Sequence, residues 1–353
     1  MKRMILGFAV VIAACAAFAE GPTPADLNAR FGVKDRVSFR ADAKGEPIAV
    51  LKDANGSCEV MLRGAHVISC VFAGDVHPLL YVPRMGYVAK PGPRDFIHGG
   101  VPLLWPWFGS SGAPKPPEGY MNWWSRKKRE WGWEKPFDPP FHATARYSLF
   151  DVKEVSAEGA ETSITLVLRP CDEVAEYTAG AFELEYRITL GAHRLGLRLK
   201  TTNCGDGPFR YREGFHPYFA VSDCYAVTLD GVDGCTYESS RDLPWDVEHV
   251  WKGKVREWPG CDLFKFKEPK SRVLLEDPAW NRDIVLTTTG GRDVVTWCQD
   301  VKGARRGTMN ILPEECRDFF CIEPSNFFPE SEVSLAGGES HTFETVITVR
   351  DRK

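Results

Sequence analysis

Beyond its first nineteen residues, the 353-residue chain has no charge-free apolar run as long as the roughly 20 residues of a membrane-spanning helix, so no span is expected in the mature protein. It has no surplus of charge of either sign. With 44 Lys and Arg against 48 Asp and Glu, a nucleic-acid binder built on a global basic field is excluded. None of its 11 cysteines stands in a Cys-x-x-Cys pair, which removes the common spacing of a structural zinc site. Helix-like periodicity is scarce, and there is no internal repeat and no linker between separable halves.

What the chain has begins at the N-terminus. Lys2 and Arg3 precede an apolar stretch from Met4 to Ala14, and Ala17-Phe18-Ala19 stands ahead of Glu20. This is the pattern of a secretory signal peptide with an Ala-x-Ala cleavage site. The expectation is that residues 1–19 are removed and residues 20–353 are exported, periplasmic or secreted. Ile12-Ala13-Ala14-Cys15 also resembles a lipobox, which would leave a lipid anchor on Cys15; the Ala-x-Ala reading is preferred. Setting Cys15 aside leaves ten cysteines, an even number in a compartment that permits disulfides. Cys58 and Cys70 sit in neighbouring strand-like segments and are candidates to pair, with buried free thiols as the alternative.

Alternation with period two is frequent. Phe182, Leu184, Tyr186, Ile188 and Leu190 fall on one face, Gly191 marks a turn, and Leu195, Leu197 and Leu199 resume the pattern, which predicts a hairpin with one wet face. Asp283 to Thr289, the pair Gly290-Gly291, and Asp293 to Trp297 read as a second hairpin. Phe343, Thr345, Ile347 and Val349 alternate in a last strand. The predicted fold is all-β, one large antiparallel β-sandwich with its chemistry on strand ends and loops.

The chain is rich in aromatics, with 11 Trp, 10 Tyr and 21 Phe. Four of the Trp (Trp123, Trp124, Trp131 and Trp133) lie in a Pro- and Gly-rich insertion at about 110–140, beside the basic run Arg126 to Arg129. A loop of that length inside a compact domain is usually functional or disordered. A lid that stacks on a ring-shaped ligand and an insertion packed on its own Trp side chains are the leading readings; the basic run among aromatics also suggests RNA, which one short run in a near-neutral chain disfavours.

Four short stretches carry candidate chemistry. His98-Gly99-Gly100 leads through Trp105 and Trp107 to Gly109, a glycine turn followed by a rigid aromatic corner with Trp107 as a candidate wall. His142 and Arg146 stand four residues apart, a spacing that on a strand places both on one face of a groove. His216 precedes Pro217 in extended backbone, followed by Tyr218 and Phe219. Glu323 sits in the apolar run from Phe320 and precedes Pro324. A carboxylate base and an imidazolium acid are the two groups needed to open a sugar ring without metal or cofactor. The carboxylate would keep the imidazole protonated, and shelter by apolar neighbours would make Glu323 a better base.

The order of these stretches resembles the aldose 1-epimerase (mutarotase) superfamily, in particular its branch of glucose-6-phosphate 1-epimerases or hexose-6-phosphate mutarotases, over about Val50 to Val349. The family's Arg-Gly-Gly-x-Pro…Trp-Pro-x-Phe-Gly stretch is matched by His98 to Gly109. Its His-Gly-x-Ala-Arg stretch is matched by His142 to Arg146, and its His-x-Tyr-Phe by His216 to Phe219. Its Val-Glu-Pro is matched by Ile322 to Pro324, its Asp-Pro-x-x-Asn-Arg turn by Asp277 to Arg282, and its Thr-Asp-Arg only at Asp262. The resemblance implies a galactose mutarotase-like supersandwich. It implies Glu323 as general base, His216 as general acid, Asp262 as a sugar-hydroxyl anchor, and His142 and Arg146 near the substrate's oxygens. Two departures bear on substrate. His98 stands where the phosphate-binding branch has Arg, and a neutral His does not replace an Arg fork toward phosphate. An exported protein also rarely meets phosphorylated hexoses.

The expectation is therefore a cofactor-independent epimerase that interconverts the α and β anomers of a neutral aldose or an oligosaccharide reducing end. A non-catalytic exported carbohydrate-binding protein is the alternative, as is a glycan-cleaving enzyme using Asp262 and Glu323 as its carboxylate pair. A metal site of His142, His216 and Glu323 fits by residue type but matches no metal spacing. The expected partner is a small carbohydrate, and no metal, cofactor or nucleic acid is expected.

Overall fold

The computed structural model describes residues 21–87, 98–109, 142–170, 181–239, 249–255, 260–299 and 311–352. Residues 1–20, which hold the expected signal peptide and Cys15, and the insertion expected at about 110–140 lie outside the described residues.

Two eight-stranded antiparallel sheets form the frame. The first runs through Thr228–Asp230, Lys270–Asp277, Arg282–Thr289, Ser340–Asp351, Arg194–Asn203, Phe182–Gly191, Thr162–Leu168 and Asp151–Ser156. The second runs through His249–Val250, Thr236–Ser239, Cys261–Lys265, Asp293–Trp297, Phe319–Asn326, Glu213–Phe215 and Leu103–Leu104, with Tyr218–Ala220 also paired to Phe319–Asn326. A four-stranded sheet, Val37–Ala41 to His66–Phe72, lies N-terminal to both. The all-β sandwich expected from period-two alternation is the fold observed. Among the described residues there is one α-helix, Pro24–Phe31, started by Thr23 capping Asp26. No helix of the described residues is long and apolar enough to cross a membrane.

The two large sheets share one apolar core. Phe215 of the second sheet stacks on Tyr186 and Phe343 of the first, with ring centroids 5.4 and 4.8 Å apart. Each strand facing this core alternates as its sequence does. In Phe182–Gly191, Phe182, Leu184, Tyr186, Ile188 and Leu190 are buried while the intervening Glu and Arg are half-buried. This strand pairs with Arg194–Asn203 around Ala192 and His193, both at positive φ, so the first predicted hairpin forms. The last predicted strand also forms, paired on both sides.

The second predicted hairpin does not form. Arg282–Thr289 pairs with Lys270–Asp277 and Ser340–Asp351 in the first sheet, while Asp293–Trp297 pairs with Cys261–Lys265 and Phe319–Asn326 in the second. Gly290-Gly291 is the corner where the chain changes sheets. Gly290 has φ +81°, and a Cβ there would sit 2.1 Å from the Thr342 carbonyl oxygen, so the corner requires glycine. Both runs have strand patterning, but their partners are distant, and local sequence does not distinguish a hairpin from a corner.

Cys58 and Cys70 are directly opposed across the hairpin Gly56–Met61 and His66–Phe72, as free thiols with a hydrogen bond between them.

Candidate active site

The site lies on the face of the second sheet that points away from the shared core. Along Phe319–Asn326, Phe320 and Ile322 enter the core, so Phe319, Cys321, Glu323 and Ser325 project to the other side. Beside them on that face lie Val295 opposite Glu323 and Trp297 opposite Cys321. Leu263 and Cys261 extend the two rows. Leu104, Phe108, Leu263, Val295 and Phe328 make an apolar bed around the carboxylate.

His216 arrives from the other side of the same strand. Gly214 pairs with Ser325, and Tyr218 pairs with Cys321, so His216 falls opposite Glu323 in the same register. The ladder is interrupted here because Pro217 has no N–H to give. The N–H groups of His216 and Tyr218 turn instead to the carbonyls of Pro102 and Gly100, at 3.0 and 2.9 Å. That zips the glycine turn of the His98 stretch onto the His216 segment. Gly99 and Gly100 have φ of +82° and +64°, which makes the turn possible. The result is a distance of 3.3 Å from His216 Nε2 to Glu323 Oε1, with side-chain exposures of only 8% and 2%.

Aromatic side chains fix the imidazole. Tyr218 stacks on it at 4.7 Å, with an interplanar angle of 6°. His142 stands perpendicular to it, with centroids 5.4 Å apart. His98 lies 6.0 Å from Tyr218 and 6.3 Å from Trp297. Trp297, Tyr218 and Cys321 were not singled out as site residues from sequence. Only the register between three distant strands brings them together.

The turn at Asp277 to Arg282 holds this segment in place. Buried Asp277 accepts from the Ser222 N–H and hydroxyl, and Arg282 donates to the carbonyls of Pro78 and Ala220. Both sides of the short strand Tyr218–Ala220 are therefore pinned.

Other candidates are placed differently from expectation. His142 and Arg146 are not on a strand. His142 and Ala143 have positive φ and lead into the 3-10 turn Ala145–Tyr147. The two still approach the same imidazole, because the turn folds them back over it. His142 Nδ1 accepts the Gly109 N–H at 2.9 Å, which leaves the ring proton on Nε2 as a donor. Arg146 is buried, donates to the Tyr147 hydroxyl, and acts electrostatically on His142 and His216.

Asp262 is fully buried, but strand alternation places it on the face shared with Phe264, opposite the face of Cys261 and Leu263. The sugar-anchor position expected of it is not met by this register, because its neighbours in the strand, not Asp262, take the Glu323 face. By the same register Asp262 and Glu323 fall on opposite faces of the sheet. Trp107 is 1% exposed and so offers no open stacking surface; its neighbour Phe108 stands edge-on to His142 at 5.4 Å.

Burial dominates the electrostatics. It pushes Glu323 well above the ordinary carboxylate range. Burial first, then His98 and Arg146, lower His216 to about 3. The expectation that the carboxylate would hold the imidazole protonated is not met in the free site, where burial is the largest influence on both groups. His142 is also pushed down, by burial and by His216, Arg146 and His98. Low dielectric thus favours one shared proton on the His216–Glu323 pair in its uncharged arrangement. Among the described residues, the metal-compatible set is His216, Cys321 and Glu323, not the trio with His142.

A buried imidazole and carboxylate in contact, on one face of an antiparallel two-sheet sandwich, are a pair able to exchange protons with a ligand. Comparison with known proteins makes the assignment specific. The chain belongs to the aldose 1-epimerase family, whose model matches residues 47–348, and it is accordingly an epimerase-type isomerase. It is 26% identical over 302 residues to a Cenchrus ciliaris protein named "Putative glucose-6-phosphate 1-epimerase", covering 82% of this chain and 80% of that one. An Escherichia coli K12 protein of the same name is 25% identical over 264 residues, covering 74% and 77%. In fold, the chain is similar to the crystal structure of a "putative mutarotase" from Salmonella typhimurium, with a TM-score of 0.72 at 19% identity, covering 91% of this chain and 96% of that one. A galactose mutarotase-like protein from Clostridium acetobutylicum gives 0.69 at 15% identity, covering 90% and 100%.

Proposed function

We propose that His216 and Glu323 are the acid/base pair that opens and recloses the ring of a neutral aldose, or of an oligosaccharide reducing end, in an exported enzyme. The observation that carries the reading is the 3.3 Å contact between the two groups. The chemistry balances on the one proton they share. Glu323 as carboxylate takes the proton of the C1 hydroxyl while His216 as imidazolium gives its proton to the ring oxygen. The C1–O5 bond breaks and C1 becomes a carbonyl. Rotation about C1–C2 presents the other carbonyl face, and O5 attacks it. The O5 proton then returns to His216, and the Glu323 proton returns to the new C1 oxygen.

Before and after opening, the pair differs only in where its proton sits. Burial favours the uncharged arrangement, which is the one reached after ring opening. Sugar hydroxyls that donate to the carboxylate would favour the charged arrangement before it. His142, with its proton on Nε2, offers a neutral donor to a sugar oxygen.

The preference for a neutral sugar rests on His98. It is 5% exposed, packed among Tyr218, Trp297 and His216, and lacks a guanidinium fork. A second reading, a hexose 6-phosphate, is favoured by the names of the two relatives and by the buried charge of Arg146. The N-terminal secretory pattern supports the first. The test is the rate of anomer interconversion of glucose, galactose and glucose 6-phosphate, measured side by side by NMR. Faster turnover of the neutral sugars supports the proposal, and selective turnover of glucose 6-phosphate overturns it.

A further inference from the structure

We propose that His216 Nε2, Cys321 Sγ and a Glu323 carboxylate oxygen form a binding site for a thiophilic divalent cation of the Zn2+ class, and that occupancy of this site switches the epimerase off. The three ligand atoms lie within 4.8 Å of one another, and all three residues are buried. Cys321 and Glu323 are two apart on one strand and share a face, and His216 lies opposite them in register. The donors therefore converge from two paired segments of one sheet, a rigid platform rather than a loop.

The donor set is also chemically matched. Zn2+ is bound by thiolate, imidazole and carboxylate together, at about 2.3 Å to sulfur and 2.0–2.1 Å to nitrogen. The His216–Glu323 separation of 3.3 Å already suits two ligands of one tetrahedral ion. The Cys321 sulfur lies within 4.8 Å of both and supplies the third donor. His216 Nδ1 has no hydrogen bond to another described residue, and the stacked ring holds Nε2 toward Glu323 and Cys321. Three protein ligands leave one position for a water or a sugar oxygen.

Binding releases two protons to solvent, the thiol proton of Cys321 and the proton shared by His216 and Glu323, so that a thiolate, a neutral imidazole and a carboxylate face the ion. The ion also takes the His216 lone pair and the Glu323 oxygen that ring opening would use. Nothing in the ring-opening chemistry uses a thiol, so Cys321 has no role there. The inhibitory consequence rests on the acid/base reading of His216 and Glu323, whereas cation binding does not.

The experiment uses the purified full chain, stripped of metal with a chelator and titrated with Co2+ and then Zn2+. Co2+ should bind with one-to-one stoichiometry, giving a near-ultraviolet thiolate-to-cobalt band and the visible bands of a four-coordinate ion, all displaced by Zn2+. Cys321→Ser, compared with its own zinc-free rate, should lose the thiolate band and need at least about tenfold more Zn2+ for half-inhibition. Cys204→Ser, which changes an exposed thiol elsewhere, should behave as wild type. A missing thiolate band in wild type, or unchanged Zn2+ sensitivity in both Cys321→Ser and Cys321→Ala, overturns the site. A normal cobalt spectrum in a protein that does not turn over sugar leaves the site standing and overturns the epimerase reading instead.

Discussion

His216 and Glu323 face each other where a β-ladder is broken, with Nε2 and Oε1 3.3 Å apart between the regular pairings Gly214 with Ser325 and Tyr218 with Cys321. Proline at 217 removes the ladder hydrogen bond, so the sheet stays in register while the imidazole is released to meet the carboxylate.

The pair should work only while it holds a single proton. Burial lowers His216 to about 3 and raises Glu323, so the one-proton window starts far below the ordinary imidazole value and extends above the ordinary carboxylate value. As pH falls below that window a second proton disables the base; as pH rises above it the acid is lost. An acid with the ordinary imidazole value would lose its proton, and the rate would fall, as pH rises through about 6.5; the rate measured across pH 5 to 8 should not show that fall from His216. A fall centred at about 6.5 would mean that His216 gives up its proton as an unburied imidazole does.

Position 98 should tune substrate choice. Replacing His98 by Arg restores the fork that suits phosphate. The expected outcome is at least a tenfold rise in kcat/KM for glucose 6-phosphate relative to glucose, about 1.4 kcal/mol of discrimination. An unchanged ratio in a folded variant, checked by circular dichroism, would remove residue 98 from substrate recognition.

The glycine turn should be intolerant of side chains. A Cβ on Gly100 would lie 2.2 Å from the Val67 carbonyl oxygen and 2.8 Å from His66 Nε2, at φ +64°. The backbone strain alone costs roughly 1–3 kcal/mol. Gly100→Ala should lower the denaturation midpoint. It should also lower kcat, because the same turn accepts the Tyr218 N–H. Gly45→Ala, at an open turn with φ +88°, should leave kcat unchanged.

His66 should make the fold acid-sensitive. It is buried, bonded to the Gly99 carbonyl, and lowered from 6.5 to about 4, mainly by burial. The unfolded chain binds this proton first, so stability is lost as pH falls from about 6.5 toward 4. Between pH 7 and pH 5 that amounts to about 2 kcal/mol. Urea unfolding at the two pH values checks it, and His66→Gln should flatten the difference.

Much of the frame was legible because alternation in Phe182–Gly191 and Ser340–Asp351 reports directly which side chains are buried. The corner at Gly290 was not, because a glycine pair between two alternating runs serves a hairpin and a change of sheet equally well. His216, Glu323, His98, His142 and Arg146 were legible as residue types in order along the chain. The strand proposed for His142 failed because its positive φ is set by Gly109 and the turn that follows. Trp297 and Cys321 became visible only through register, which no local pattern encodes. Register also turned Asp262 away, since a shift of one position along a strand reverses the face.

The most direct measurement is NMR line-shape or polarimetric assay of freshly dissolved α-glucose and α-galactose with wild type, Glu323→Gln and His216→Asn, each verified as folded. The wild type should accelerate the approach to anomeric equilibrium, and each variant should lose about 10²–10⁴-fold. Either variant within twofold of wild type would contradict the assignment of the pair.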